Sequence, residues 1–366
     1  MRKTHILFSN IKTDGNELAF IFPLVFNQRR LYREYKINID FFDDHNDPKL
    51  LECDSLMISS WYFGRRTKSW IDNEDLIYSF LKLARKRKIK IIWSDISDST
   101  GTTQLKVLPY VDVYTKGQLL KDKTLYQKQY YSARIFGDYY HQKGIHDQLK
   151  TEEHLCYPLD SAHLNKIRLG WNSGFATYSQ YGPYYNFYNY KYLDLKLPIF
   201  YPKRWSSPDR KREVPLSCRI GHGYNRETMR YQRQQVKELL KDRVDTSKVE
   251  RTKYFQELRN SVINVSPFGL GEISLRDFEI IVSGGLIMKA NCDHMETYPN
   301  ILYNESTYLS FNWDLSNFLE KLEYGIEHLP EMKQRAMACQ KIYKDLLSTE
   351  SGHHHFCLYL VEILNH

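Results

Sequence analysis

The feature that most constrains the fold is the regular alternation of short apolar runs with segments of helical periodicity. In the first half the apolar runs lie at 5–10, 37–42, 55–61, 88–95 and 111–116. In the second half they lie at 216–221, 261–266 and 285–290. Strands that are separated by helices need crossover connections, which make the strands parallel. The sequence therefore predicts an α/β protein with two Rossmann-like open sheets.

A polar, charged segment that ends near residue 213 separates the two predicted sheets, and 366 residues suffice for two domains. We predict an N-terminal domain over 1–205, a C-terminal domain over 206–340 and a helical tail over 341–366. Two unlike α/β domains joined in this way leave a cleft between them.

The segment 171–201 is unusually rich in tyrosine. Its rings are suited to stacking on sugar rings in an acceptor platform, or to lying at a membrane interface. The alternative is an irregular lobe that uses tyrosine for its core and rim.

Charge and cysteine content narrow the class of protein. The formal charge of +8 suits an anionic ligand or surface, but the lysines and arginines are spread over the chain and form no single stripe. The six cysteines are scattered and contain no CxxC pair, which argues against a zinc site or a disulfide framework. No apolar run approaches the roughly 18 residues of a membrane span. We expect a cytoplasmic protein, with peripheral membrane association as an alternative.

The stretch SPFGLGEISLRDFE at 266–279 is the most informative motif. A strand ends at Ser266, glycines follow, and a helix is predicted from Ser274, which can cap it. Free amides at a helix start bind phosphate. Glu279 follows Arg276 by three residues, so both side chains share a helix face, where a carboxylate can accept hydrogen bonds from the two hydroxyls of a ribose. The alternative is that this stretch is an ordinary strand, turn and helix, in which the glycines only form the turn.

This arrangement, followed by SGGLIM, resembles the donor-binding half of the GT-B superfamily of nucleotide-sugar glycosyltransferases. It is also similar to the exostosin-like and capsule or lipopolysaccharide transferases of that superfamily. The resemblance implies that the C-terminal domain holds the nucleotide, that the N-terminal domain holds the acceptor, and that Glu279 contacts the ribose.

The resemblance also implies a set of donor-binding residues, namely Arg219, His222, Arg226, Ser266, Gly269, Gly271, Glu272, Arg276 and Glu279. Many retaining members carry two glutamates eight positions apart. Here the position eight before Glu279 is Gly271, and Glu272 is displaced by one. The motif therefore leaves inverting or retaining transfer open. The alternative to donor binding by this helix is that Arg226, Arg230 and Arg233 form a solvated helix face.

The candidate catalytic bases follow strands of the first predicted sheet. Asp95 and Asp98 lie in the loop SDISDSTGT, where a carboxylate can take the proton of an acceptor hydroxyl. The alternative role of this loop is a turn that caps the next helix, and Asp14, in the loop after the first strand, is the rival base. The run FFDDHNDP offers Asp43, Asp44, His45 and Asp47 as alternative metal ligands, but we expect no metal and no other cofactor.

The sequence thus predicts a metal-independent glycosyltransferase that moves a sugar from a nucleotide-sugar donor to a glycan or lipid-linked acceptor, and that does not bind nucleic acid. The alternatives are a non-catalytic binder of nucleic acid or another polyanion, and a nucleotide-sugar hydrolase or epimerase of the same architecture.

Overall fold

The computed structural model describes residues 1–9, 15–66, 74–148, 158–176, 202, 204–221 and 223–366, with the backbone alone at 64–66. Two predicted site residues, Asp14 and His222, lie outside the described residues, as does the tyrosine-rich segment from residue 177 to residue 201.

Two parallel sheets organise the chain. The first has the order β2-β1-β3-β4-β5-β7 and consists of β1 (Arg2–Leu7), β2 (Ile37–Phe42), β3 (Ser55–Ser59), β4 (Lys90–Asp95), β5 (Val113–Lys116) and β7 (Ile167–Leu169). The second has the order β12-β10-β9-β8 and consists of β8 (Val214–Ser217), β9 (Ser261–Val265), β10 (Leu286–Ala290) and β12 (Leu309–Phe311). The predicted α/β class with two open sheets is confirmed.

Helices connect the strands. In the described part of the chain they are α1 (Gly15–Tyr35), α2 (Trp61–Arg66), α3 (Glu74–Lys86), α4 (Ile135–Gln142), α5 (Glu227–Leu240), α6 (Arg251–Asn260), α7 (Leu275–Val282), α8 (Phe318–Glu327), α9 (Leu329–Ser348) and α10 (Glu350–Asn365). None of these helices is both long and apolar enough to cross a bilayer.

The central strands are buried on both faces. All residues of β3 and β9 are buried, as expected for parallel strands covered by helices on each side. This explains why these strands appear in the sequence as short continuous apolar runs. Because every side chain in them is covered, both strands are rigid supports for the loops at their carboxyl ends.

The C-terminal helix returns to the N-terminal sheet. Helix α10 packs beside α1, where Phe356 contacts Trp171 and Phe175 with ring centroids 5.4 and 5.1 Å apart. Arg30 of α1 forms an ion pair with Glu350 at the start of α10. The predicted start of the tail at residue 341 falls inside α9, and a cap at Thr349, whose hydroxyl accepts from the Gly352 amide, separates α9 from α10.

The two halves are hydrogen-bonded directly to each other. Strand β6 (Gln118–Leu120), from the N-terminal half, pairs antiparallel with β11 (Met295–Thr297), from the C-terminal half. The side chain of Gln118 links the two loops at this boundary, because it donates to the Asp98 carbonyl of its own half at 2.8 Å and accepts from the Ile273 amide of the C-terminal half at 3.3 Å. The loop after β4 therefore lies directly against the loop after β9.

Gly271 sits at the closest approach of these two loops. A Cβ atom added there would lie 1.6 Å from the carbonyl oxygen of Asp98, so any side chain would push the loops apart. The glycine at this position is thus explained by contact between the halves of the protein.

Gly271→Ala should lower the free energy of unfolding by about 1–3 kcal/mol, because a backbone carbonyl cannot move aside at low cost. Urea denaturation of the two proteins measures this difference. The control is Gly223→Ala, where an added Cβ meets nothing within 4 Å. Equal stability of the two variants would contradict the close approach.

Candidate functional site

A cleft of about 710 Å³ opens beside the carboxyl ends of β8 and β9. The first turn of α7, the start of α6 and the loop after β8 form its walls. Among its described lining residues are five cationic side chains, Arg219, Arg233, Lys248, Arg251 and Arg276, and two carboxylates, Glu250 and Glu279. In open parallel α/β sheets ligands bind at this end of the strands, so the cleft is the candidate site for an anionic ligand.

A buried ion pair sets the position of α7. Lys289 of β10 and Asp277 of α7 are 3.1 Å apart, and both side chains are fully buried. The Asp277 carboxylate also accepts from the Ser266 hydroxyl at 2.6 Å and from the Ser274 amide at 2.8 Å. Ser266, a predicted donor contact, therefore binds Asp277 with its hydroxyl, and the whole loop from β9 to α7 is held in place.

Glu279 is the carboxylate that faces the cleft from α7. Its side chain is only 13% exposed, and its Oε1 lies 3.2 Å from Arg251 Nη2. Burial raises the pKa of Glu279, and Arg251 and Tyr254 oppose that rise. A nearly buried carboxylate of this kind is well suited to accept hydrogen bonds from sugar hydroxyls.

Polar atoms around Glu279 lack partners within the described protein. Nη1 of Arg276 and the hydroxyl of Tyr254 are buried, and neither has a partner in hydrogen-bonding geometry, although the Tyr254 hydroxyl lies close enough to Glu279 and Arg276 to interact with both. Both residues line the cleft, together with Glu279. Buried donors without partners are costly, which makes them candidates for binding a ligand. Arg276 and Glu279 thus come together as predicted, and Tyr254 joins them.

Arg233 gives the cleft a buried positive charge. Its guanidinium donates to the carbonyls of Phe268 and Gly221 at 2.6 and 2.9 Å, and it lies over the Tyr224 ring at 5.2 Å. Burial lowers the pKa of Arg233. A buried guanidinium that bonds only to neutral carbonyls keeps most of its charge for an anion. At 6% exposure this residue does not belong to a solvated helix face, the alternative considered from its spacing.

The other predicted arginines are placed differently. Arg219 lines the cleft, but its guanidinium donates to both carboxylate oxygens of Glu257 at 2.7 and 2.8 Å and also pairs with Asp245. Arg226 occupies the N-cap position of α5 without a side-chain capping bond, and its guanidinium donates to Ser132 of the N-terminal half. Gly269 lies beside Arg233 and Tyr224, where an added Cβ would be 3.2 Å from each side chain.

The N-terminal half contributes Asp98 to the same region. The Asn16 amide of α1 donates to the Asp98 carboxylate, which is partly exposed. Gly15, at the described start of α1, faces Leu275, at the start of α7. The amino ends of two helices, one from each half, therefore face each other near Asp98.

Asp95 occupies a different environment. It is 1% exposed, and its carboxylate accepts from Tyr114 and pairs with the fully buried Lys116 at 3.2 Å. Because these partners shield Asp95 from solvent, Asp98 is the better placed of the two predicted bases.

Glu272 is fully buried between the two halves. Its carboxylate accepts from the amide and hydroxyl of Thr100, at 3.1 and 2.6 Å, and from the Ser99 hydroxyl at 3.2 Å. Nε2 of His294 lies 3.6 Å away. Burial alone would raise the pKa of Glu272, but His294 and Thr100 outweigh burial and lower the pKa to about 2. The structure thus assigns this predicted donor contact to the junction of the two halves.

Several residues of the site escaped the sequence analysis. Arg134 donates to the Leu270 carbonyl at 2.6 Å, and burial together with Arg226 lowers the pKa of Arg134. Its position in an irregular segment offers no periodic signal. Lys289 and Asp277 were missed because each lies in an element whose sequence is mostly apolar. A charged residue inside a buried strand such as LIMKA is nevertheless a signal of a buried ion pair.

The acidic run after β2 does not form a metal centre in the described residues. His45 Nδ1 lies 2.9 Å from the Tyr62 hydroxyl, and Asp44 and Asp47 accept from nearby backbone amides. In the part of the chain that the structure describes, no group of three or more His, Cys, Asp or Glu side chains is arranged to hold a metal ion.

No protein-family model and no curated protein matches the chain. Among solved structures, Anabaena Alr3699/HepE in complex with UDP-glucose aligns over 99% of this chain and 100% of its own, at 9% identity and a TM-score of 0.46. A glycosyltransferase from Rickettsia africae ESF-5 aligns over 99% and 98%, at 11% identity and a TM-score of 0.46. A UDP-forming trehalose-phosphate synthase from Burkholderia xenovorans aligns over 87% and 76%, at 12% identity and a TM-score of 0.38. Similarity this loose assigns no function to the chain.

Glu272→Gln should reduce the free energy of unfolding at pH 7 by about 1–3 kcal/mol, because a charged acceptor of buried hydrogen bonds is lost. The folded pKa of about 2 lies below the unfolded value, which is about 4.3. The contribution of the carboxylate to stability is therefore complete above about pH 4.3 and is lost as the pH falls towards 2.

Urea denaturation at several pH values measures both effects. The difference between the wild type and Glu272→Gln should shrink as the pH falls from about 5 to about 3. Glu213→Gln removes an exposed carboxylate and is the control. A difference that does not vary with pH would contradict the lowered pKa.

Proposed function

We propose that the chain is a glycosyltransferase that moves a sugar from a nucleotide-sugar donor to a hydroxyl of a glycan or lipid-linked acceptor. The observation that carries this proposal is the position, on one face of α7, of a nearly buried carboxylate beside an arginine that has a buried, unpartnered nitrogen. A ribose needs an acceptor of hydrogen bonds and a diphosphate needs donors and positive charge, and α7 offers both within one turn.

In this proposal the nucleotide lies in the cleft of the C-terminal half. Glu279 accepts hydrogen bonds from the ribose hydroxyls. Arg276, Arg233 and the amides at the start of α7 contact the diphosphate. Arg134 and Arg226 meet at the junction of the two halves, where the donor sugar would be attached.

The reaction requires one proton transfer and one displacement. The oxygen of the acceptor hydroxyl attacks the anomeric carbon, and its proton passes to Asp98. The bond from that carbon to the diphosphate oxygen breaks, and the nucleoside diphosphate leaves with the bonding electrons. Fixed cations and helix amides stabilise the charge that develops on the leaving group, so the proposal includes no metal ion.

The presence of Glu279 in the cleft favours this function over binding of a polyanion. A polyanion site would place a carboxylate of low exposure beside repeated phosphates, and the repulsion would weaken binding. A hydrolase or epimerase of nucleotide sugars shares the same donor cleft. Product analysis without an acceptor distinguishes it, because free sugar or epimerised donor would appear.

The first test measures thermal stability against UDP, GDP, ADP, CMP and their common sugars. A ligand that binds only the folded state at about 100 times its Kd adds about 2.7 kcal/mol of stability. We expect a selective shift with one base. No shift with any of them at millimolar concentration would overturn the proposal.

Two variants should show which residue binds the ribose and which binds the phosphates. With the base identified by the panel, Glu279→Gln should weaken the free nucleoside and the nucleoside diphosphate alike, by about 1–3 kcal/mol. Arg276→Gln should weaken the diphosphate by a similar amount and leave the nucleoside nearly unchanged. Isothermal titration calorimetry measures all four affinities.

The control for these variants is Glu327→Gln, which removes an exposed carboxylate from α8. Its affinities should equal those of the wild type. If Arg276→Gln weakened nucleoside and diphosphate equally, the assignment of Arg276 to the phosphates would be wrong.

Asp98→Asn should separate binding from catalysis. Loss of a general base lowers the rate by about 10²–10⁴-fold, while the donor cleft keeps its affinity. The measurement is kcat for transfer to an acceptor, together with the donor Kd of the same variant. A variant with unchanged kcat would exclude Asp98 as the base.

A further inference from the structure

A cationic surface lies far from the candidate donor site, at the carboxyl end of α3 and in the turn that follows. It consists of Lys82, Arg85, Lys86, Arg87, Lys88 and Lys90, within nine residues that contain no acidic side chain. All except Lys90 are exposed. We refer to these six residues as the basic end of α3.

The basic end of α3 borders a cavity of about 410 Å³. Arg85, Lys88 and Lys90 line it, together with Asp112 and His366. Asp112 already accepts from the Ile91 amide at 2.8 Å, so one engaged carboxylate faces three cations. Burial and the neighbouring Arg2 lower the pKa of Lys90, because both disfavour its positive charge. An anionic group in this cavity would relieve that repulsion.

Two exposed leucines continue the same surface along α3. Leu76 is 43% exposed and Leu83 is 46% exposed, and their separation of seven residues places them on one helix face. Lys86 follows Leu83 by three residues on that same face, and Arg87 comes directly after the last residue of α3. Leu83 thus stands beside the cations, while Leu76 lies about two turns earlier on this face, directly after Glu74 and Asp75.

We propose that the basic end of α3, together with Leu76 and Leu83, docks on the anionic surface of a lipid bilayer. Clusters of lysine and arginine on a helix bind anionic headgroups, and neighbouring apolar side chains enter the boundary between headgroups and acyl chains. A nucleic acid would also be attracted by the positive charge, but two exposed leucines would add little to its binding. The leucines therefore favour the bilayer.

The position of this surface keeps the candidate site free. Lys90 and Arg2 begin β4 and β1, so the basic end of α3 lies at the amino ends of the strands. Asp98 follows β4 at its carboxyl end, on the opposite edge of the sheet. Docking by the basic end is thus compatible with an accessible cleft and does not depend on the proposed transfer reaction.

The test is sedimentation of the full chain with extruded vesicles of phosphatidylcholine that contain or lack phosphatidylglycerol. Binding should require phosphatidylglycerol and should fall steeply between about 0.1 M and 1 M salt, where the Debye length drops from about 10 Å to about 3 Å. Each removed cation should lower the partition coefficient about fivefold, so Lys86→Gln, Arg87→Gln and Lys88→Gln together should lower it about 100-fold.

The matched control removes the same charge elsewhere, through Arg210→Gln, Lys211→Gln and Lys344→Gln, three exposed positions of the C-terminal half. The control should bind vesicles nearly as the wild type does. Leu76→Ser with Leu83→Ser should weaken binding at both salt concentrations, and circular dichroism should show that every variant is folded.

Three results would overturn the proposal. The first is that the wild type binds vesicles with and without phosphatidylglycerol equally well. The second is that the control variant loses as much vesicle binding as the triple variant at 86–88. The third is that the triple variant binds vesicles as the wild type does but loses affinity for a single-stranded oligonucleotide. The last result would identify the surface as a nucleic-acid site.

Discussion

The junction between the loop after β4 and the loop after β9 is the constraint on which the candidate site depends. Glu272 reaches from the C-terminal half to bind the Thr100 amide and hydroxyl, while Gly271 allows the two backbones to touch. A fully buried carboxylate is tolerated only where charged or polar partners surround it. The same junction brings Asp98 beside the loop that leads into α7, so the interaction that joins the halves also brings their candidate functional residues together.

In and around the candidate cleft, some cations are paired with carboxylates and others are paired only in part. Arg219 is matched by Glu257 and Asp245, and Lys289 is matched by Asp277, so these cations hold structure. Arg276 and Arg233 are matched only in part, because Arg276 shares the charge of Glu279 with Arg251 and keeps one buried nitrogen without a partner, while Arg233 donates only to neutral carbonyls. Since ion pairing consumes the field that an anionic ligand would feel, the unmatched arginines are the ones suited to phosphate. The number of arginines in a sequence does not reveal this division.

Much of the fold was predictable because parallel strands are short, apolar and regularly spaced. The run INIDFF is β2 with the predicted ends, and SVINVS and GLIMKA match β9 and β10 to within one residue. Strands β6 and β11 were not predicted. Each has three residues, and they are stable as strands only because they pair with each other across the two halves. Short segments of this kind carry no periodic signal, because their structure comes from a partner distant in sequence.

The sequence alone determined the α/β class, the glycine-rich turn into α7 and the common face of Arg276 and Glu279, since all of these follow from local periodicity and backbone preference. Only the tertiary structure decided which charged groups are matched. It placed Asp95 in a buried pair with Lys116, engaged Arg219 with Glu257, and turned Glu272 from a candidate donor contact into a bond between the halves. The physical reason is that a charge acts through its nearest partners, and those partners lie tens to hundreds of residues away in the chain.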